Sequence, residues 1–387
     1  MTESTKEFDI IVYGASGYTG RLVAEYLTQT GAKGWAMAGR DAAKLAEVRD
    51  LIGAPASIAL VTADASDPAS LAAMVARARV IITTVGPYQL YGNELVAACA
   101  AAGTDYVDLC GEPGWMRSMI DAHDVAAKAS GARIVFSCGF DSIPFDLGVW
   151  FLQQEAIRRF GKPAPRVKGR VRAMQGGFSG GTAASLKATL AAAAKDFKLV
   201  SLLKSSFALT PGFEGPSQPS GLVPAYDSAT GKWAAPFVMA PINTKNVHRT
   251  NFLLGHQFGT DFVYDEMMLT TIGDAGKAMA EAIAKANPFG SGDGPKPGEG
   301  PTKEERENGF YDVLFIGEMP DGQTVNACVQ GDRDPGYGST SKMIAESALC
   351  LLDLDAPGGV LTPGGVMAAP LLKRLEANAG LTFVLES

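Results

Sequence analysis

The stretch Gly14-Ala-Ser-Gly17-Tyr-Thr-Gly20 constrains this chain most, because three glycines at that spacing sit between a β-branched run and a helical pattern. Phe8 to Tyr13 reads as a strand that stops at Gly14, and Leu22, Val23, Tyr26 and Leu27 share one face of a helix ending at Gly31. This is the arrangement of a dinucleotide-binding turn. Gly14 makes the bend, Gly17 lets the backbone approach a pyrophosphate, and Gly20 lets helix and strand pack closely. The helix start then offers N–H donors and a positive dipole to the phosphates. Ser16, Tyr18 and Thr19 join the three glycines as candidate cofactor contacts.

The grammar that follows supports the same reading. Strands at Trp35 to Ala38, Ser57 to Ala63, Val80 to Val85, Tyr106 to Leu109 and Arg133 to Ser137 alternate with helices of ten to fifteen residues, which calls for a doubly wound parallel sheet over residues 1–144. At the end of its second strand an acid would favour NAD and a cation the 2′-phosphate of NADP. Arg40 stands there, Lys44 lies one turn on, and Asp41 is placed to cap the next helix, so NADPH is the expected cofactor. The later strand ends complete the candidate cofactor set with Asp64, Val85, Gly86, Pro87, Cys110, Gly111, Phe140 and Asp141.

After Pro144 the pattern changes. Residues 145–335 read as a second α+β domain with a mixed or antiparallel sheet. It includes a strand from Arg166 to Ala173, a glycine cluster from Gly176 to Thr182, strands at Arg249 to Leu254 and Phe262 to Thr270, and a hairpin around Pro320-Asp321-Gly322. Residues 288–302, rich in Gly and Pro, read as a loop. Residues 336–387, closing on a strand at Thr382 to Leu385, are expected to return to the first domain.

Composition excludes other classes. A net charge of -7 argues against a nucleic-acid binder, and five scattered cysteines without a CxxC pair support neither a disulfide framework nor a thiolate metal site. Three histidines at no ligand spacing leave no metal expected. An acidic N-terminus and the absence of a long apolar run point to a cytoplasmic protein without a transmembrane segment, peripheral membrane contact staying open.

With GASGYTG stand AGR at 38–40, VGPY and YG at 85–92, YVDLCGE at 106–112, CGFDSIP at 138–144, GGFSGGTAAS at 176–185, DPGYGST at 334–340 and GVLTPGG at 359–365. In these motifs, spread in order over nearly the whole chain, the protein resembles the saccharopine-dehydrogenase-like oxidoreductases. Within them it is similar to the branch of trans-acting enoyl reductases of actinobacterial polyketide-lipid synthesis. The resemblance implies a Rossmann domain, a second domain whose sheet helps form a homodimer, and an acyl substrate, small or held on an acyl-carrier domain of a polyketide synthase.

Hydride delivery to an electron-poor carbon needs a donor for the developing oxyanion and an acid for the other carbon. Tyr88 and Tyr91 are the candidate catalytic residues, being protonated at neutral pH, with packing over the cofactor rings as the alternative. Asp108, Glu112 and Asp141 could orient amide or ribose hydroxyls, while Asp141 with Ser142 also reads as a turn and helix cap. Cys110 and Cys138 read as packing residues and His123 as solvated. No tyrosine has a lysine four residues later, which argues against short-chain dehydrogenase chemistry. The glycine cluster is a second candidate anion or thioester-carbonyl site.

Three functions remain open on this evidence: enoyl thioester reduction, saccharopine-type imine reduction with arginines clamping substrate carboxylates, and a non-catalytic NADP-binding scaffold associated with lipid or a synthase. Finally, Arg158 to Arg172 holds seven cations and no acid, and a period of two puts Arg166, Lys168, Arg170 and Arg172 on one strand face. That face reads as solvated or as a charged edge, or else as a patch that steers an acidic carrier.

Overall fold

The computed structural model describes residues 6–176, 185, 188–189, 191, 196–286 and 299–386. The expected glycine-cluster site, beyond Gly176, and most of the expected loop at 288–302 lie outside these residues.

Six short strands of the first half are β1 (Phe8–Tyr13), β2 (Trp35–Gly39), β3 (Ala59–Thr62), β4 (Ala78–Thr83), β5 (Asp105–Val107) and β6 (Arg133–Val135). With β13 (Gly359–Leu361) they form one parallel sheet in the order β13-β6-β5-β4-β1-β2-β3. Parallel strands need helical crossovers that cover both faces, which is why these strands are apolar runs rather than alternating ones. The crossovers start where the sequence can cap them. Helix α1 (Tyr18–Gln29) opens at Gly17, α2 (Ala42–Leu51) at Asp41 and α3 (Pro68–Ala76) at Asp67 with Pro68 in its first turn. The short α4 (Tyr88–Tyr91), then α5 (Asn93–Ala102) and α6 (Pro113–Ser130), follow β4 and β5. Strand order reverses between β1 and β4, so the ligand crevice of the first sheet opens there.

Helix α7 (Ile143–Phe160) leads into a second seven-stranded sheet. Its strands are β7 (Arg166–Gln175), β8 (Ala225–Asp227), β9 (Lys232–Pro236), β10 (Val263–Leu269), β11 (Phe310–Glu318), β12 (Thr324–Gly331) and β14 (Leu381–Glu386), in the order β14-β12-β11-β7-β10-β9-β8. Only β7 and β10 run parallel, so the sheet is mixed. Tyr311, Val313 and Phe315 of β11 and Val325, Ala327 and Val329 of β12 alternate inward and are buried. Helix α7 packs on them so closely that a Cβ on Gly148 would collide with the Phe315 ring. Each such buried Val or Phe contributes about 1.5–3 kcal/mol.

Three expectations are corrected here. The segment Arg249 to Leu254 is not a strand but the end of a helix, Ala240–Leu253, with Pro241 in its first turn. Most of its buried positions are polar, Asn243, Asn246, Arg249 and Thr250 among them, and Ile242 and Val247 alone set no apolar period. The closing strand pairs with β12 in the second sheet, while β13 joins the first.

The basic stripe on β7 is neither a solvated face, a charged edge nor an open patch. Strand β7 lies in mid-sheet, and each cation meets carboxylates from other strands: Arg166 pairs with Asp265, Lys168 with Glu318 at 2.6 Å, and Arg170 with Asp227 and, at 3.0 Å, Asp265. Arg172 bonds Asp312 and Glu386, each at 2.7 Å. Arg170 is only 4% exposed. A stripe neutralised in this way has little field left to steer an anionic partner.

Candidate active site

The glycine turn has the geometry a pyrophosphate needs. Gly14 has φ +88°, a left-handed conformation that suits glycine, and a Cβ on Gly20 would collide with the Gly14 carbonyl oxygen. The Gly17 N–H donates to that carbonyl at 2.9 Å. No side chain caps α1, so the N–H groups of its first turn remain available to an anion. These residues fit a bound dinucleotide. Ser16 sits beside the end of β2, its Oγ 3.6 Å from where a Cβ on Gly39 would lie.

Arg40 is exposed at that strand end and makes no ion pair among the described residues. Asp41 is occupied as a cap, accepting from the Ala43 and Lys44 N–H groups at 2.9 and 3.1 Å, and Lys44 is exposed on the first turn of α2. Asp64, beyond β3, accepts from the Ser66 N–H and hydroxyl, and these bonds hold its carboxyl below the usual range. Tyr18 reaches away from the turn. Its hydroxyl donates to the Pro301 carbonyl and accepts from Arg306 at 2.9 Å, and its ring meets Tyr337 edge-on at 5.2 Å.

The loops after β4 and β5 are bound to each other. Glu112 accepts from the N–H groups of both Tyr88 and Gln89 at 2.9 Å. Asp108 accepts from the Cys110 N–H at 3.0 Å and from the Ser137 N–H and Tyr106 hydroxyl at 2.9 Å. Both carboxyl groups therefore hold the protein's own polar groups, Glu112 also lining the cavity, and burial pushes Asp108 up to about 7 against these bonds. The Tyr88 hydroxyl is spanned in the same way, donating to the Thr83 carbonyl at 3.3 Å and accepting from the Leu109 N–H at 3.1 Å. Burial pushes its phenol well above the ordinary value. Tyr91 is 47% exposed.

Asp141 behaves differently. It stands at the cavity wall with Oδ2 3.0 Å from where a Cβ on Gly111 would lie, and burial pushes its carboxyl up to about 7. It does not cap α7. Ser142 holds the cap position, but its hydroxyl accepts from Asn246 at 2.8 Å and no side chain caps the helix. Cys110 and Cys138 are buried with thiols pushed well up by burial, hence protonated packing groups. His123 is half-buried on α6, with its pKa lowered by burial.

A cavity of about 490 Å³ opens where these loops meet the second sheet. One wall is the first domain, with Thr19, Thr84, Gly86, Gly111, Phe140 and Asp141. The facing wall is apolar, built from Met174, Leu203, Val238, Met239 and Ile242, and carries a single cation, Lys245, among the described residues. The turn at Pro335 closes one side and is tied across it, since Thr340 Oγ1 accepts from the Phe140 N–H at 2.9 Å and donates to the Pro335 carbonyl at 2.8 Å.

Comparison with known proteins agrees with this geometry. The saccharopine dehydrogenase NADP-binding domain matches residues 10–135. A trans-acting enoyl reductase of Mycobacterium tuberculosis is 38% identical over 419 aligned residues, covering 99% of each chain. One from Mycobacterium ulcerans is 38% identical over 407 residues, covering 97% of each. The chain belongs to the saccharopine-dehydrogenase-like family. Yeast saccharopine dehydrogenase (L-Glu forming) shares the fold of this family member, with a TM-score of 0.53 at 12% identity over 98% of this chain and 100% of its own. The protein is thus an NADP-dependent oxidoreductase, and the cofactor it binds is NADP(H).

For this saccharopine-dehydrogenase-like chain, sequence reasoning missed the whole facing wall. Met174 fell just past the expected strand Arg166 to Ala173, Gly176 was read as the start of the glycine cluster, and the run Val238 to Lys245 was not assigned. The one available signal was Lys245 itself, a lone lysine between Asn243 and Asn246, but only the fold shows that it is buried beside a cavity. No helix of the described residues is long and apolar enough to cross a membrane, and no cluster of metal-ligating side chains occurs among them.

Proposed function

We propose that the protein reduces the carbon–carbon double bond of an α,β-unsaturated acyl thioester, on chains built by a separate synthase. The observation that carries this reading is the facing wall of the cavity: aliphatic and thioether side chains, and no arginine among the described lining residues. An amino-acid imine substrate would need cations placed to clamp its carboxylates. An acyl chain needs only apolar surface and exclusion of water. The names of the mycobacterial relatives support the same activity.

When bound, NADPH supplies the hydride. In this reading Gly14, Ser16, Gly17, Thr19 and Gly20 hold the pyrophosphate, Arg40 and Lys44 meet the 2′-phosphate, and Asp64 borders the adenosine end. Val85, Gly86, Pro87, Cys110, Gly111, Phe140 and Asp141 bound the nicotinamide end, and the apolar wall excludes water from the reacting carbons. Tyr18 steadies the turn from outside through Pro301 and Arg306. The reading extends to a homodimer working in the cytoplasm, in polyketide-lipid synthesis, on substrates presented by an acyl-carrier domain.

The test is loss of NADPH absorbance. A 2-enoyl N-acetylcysteamine thioester of medium chain length is expected to support turnover, whereas a keto acid with lysine or glutamate is not. Turnover with the second pair alone would replace this reading with imine reduction, and turnover with neither would leave a binding protein.

A further inference from the structure

We infer that Lys245 is a catalytic residue, the acid that completes the reduction from the wall opposite the cofactor. The inference rests on the enoyl thioester reading. The sequence sets Lys245 one turn after Pro241 and Ile242, and all three line the cavity. Its side chain is buried, with the residue 4% exposed. The ammonium donates to the Pro241 carbonyl at 2.8 Å, and no carboxylate pairs with it among the described residues. An ammonium has three N–H donors, so one is committed here and two remain for a ligand. A buried lysine without a counter-charge is costly, and a cavity that receives a carbonyl oxygen explains why it is kept.

The other candidates are placed less well. The Tyr88 hydroxyl is held by backbone on both sides, and Tyr91 is half-exposed and not among the lining residues. The groups that share the cavity with Lys245 are Asp141, Glu112, Tyr88 and Tyr337, while His248 follows on its own helix. Glu112 is spent on two backbone N–H groups, and burial, with the Lys245 charge, keeps His248 neutral with a pKa of about 3. Burial pushes Lys245 down to about 8, so it is protonated at neutral pH yet close to giving up its proton.

The step balances. Hydride forms a new C–H bond at the β carbon, and the alkene π pair shifts so that negative charge gathers on the thioester oxygen, which the ammonium holds. A proton then passes from Nζ to the α carbon, leaving a neutral amine that regains a proton from water. The nicotinamide is oxidised and the alkene reduced.

Lys245→Met, close in shape and without the charge, should fold, bind NADPH within twofold of wild type by fluorescence, and lose about 100-fold or more in kcat with little change in KM. Turnover by the wild type should hold through pH 7 and fall above pH 8 as the ammonium deprotonates. That limb should vanish from the residual activity of the variant, whereas any limb belonging to Asp141, near 7, should stay. A readout independent of turnover is the Lys245 resonance after reductive ¹³C-methylation, which should titrate near 8 and be shielded from labelling by a saturated acyl thioester. A folded, NADPH-binding Lys245→Met with kcat within threefold of wild type overturns the inference, as does labelling unaffected by the saturated thioester. Failure of the wild type to oxidise NADPH with any enoyl thioester overturns the substrate reading instead, and the labelling result still reports on Lys245.

Discussion

The two sheets put their chemistry in different places. The first has both faces covered by helices and offers only the carboxyl ends of its strands, where glycines and the start of α1 present main-chain donors. The second offers a face: on β7 the cations interlock with carboxylates from four other strands of the sheet, and next to it the helix Ala240–Leu253 lines the substrate wall with side chains. A site made from backbone tolerates few substitutions but leaves a sequence signature, whereas a surface made from paired side chains leaves none.

This contrast can be broken first at Arg170. Replacing it with Met strands Asp227 without its buried partner and leaves Asp265 with Arg166 alone, and stability should fall by about 3–5 kcal/mol in urea unfolding. A loss below 1 kcal/mol would mean that the second sheet does not depend on its ion pairs. At the first sheet, Gly20→Val drives a side chain into the Gly14 carbonyl, and NADPH affinity should fall about 100-fold, or about 2.8 kcal/mol, by fluorescence titration. Binding within threefold of wild type would show that the turn can move aside. The smallest effect sharpens the comparison at a strand end. Arg40→Ala should weaken NADPH about tenfold, or about 1.4 kcal/mol, and leave NADH almost unchanged. Equal losses for both cofactors would remove Arg40 from the 2′-phosphate.

What could be read from sequence follows the same division. The strands, turn and crossovers of the first sheet were legible because glycine spacing and helix caps act within a few residues, as at Asp41 and Asp67. The stripe on β7 was legible only in part. Its period of two was plain, but its partners Asp227, Asp265, Asp312, Glu318 and Glu386 are brought in by register, which no local pattern records. The helix Ala240–Leu253 was misread because most of its buried positions are polar, and with it went Lys245. Asp108 and Glu112 looked like ligand contacts because they stand at strand ends, yet the backbone donors they satisfy appear only once β4, β5 and β6 are aligned.

The final fifty residues contribute β13 to an edge of the first sheet and β14 to an edge of the second. Neither sheet is therefore finished until residues 359–386, which follow every other strand in the chain, have joined it. Until then β6 and β12 each present an unpaired border of N–H and C=O groups, β6 across a long stretch of intervening chain and β12 across a short one. The first sheet cannot be completed as a unit ahead of the second, because β13 follows β12 in the chain. One closing stretch of chain completes both sheets, and a border it has not yet covered is open to pairing with another chain.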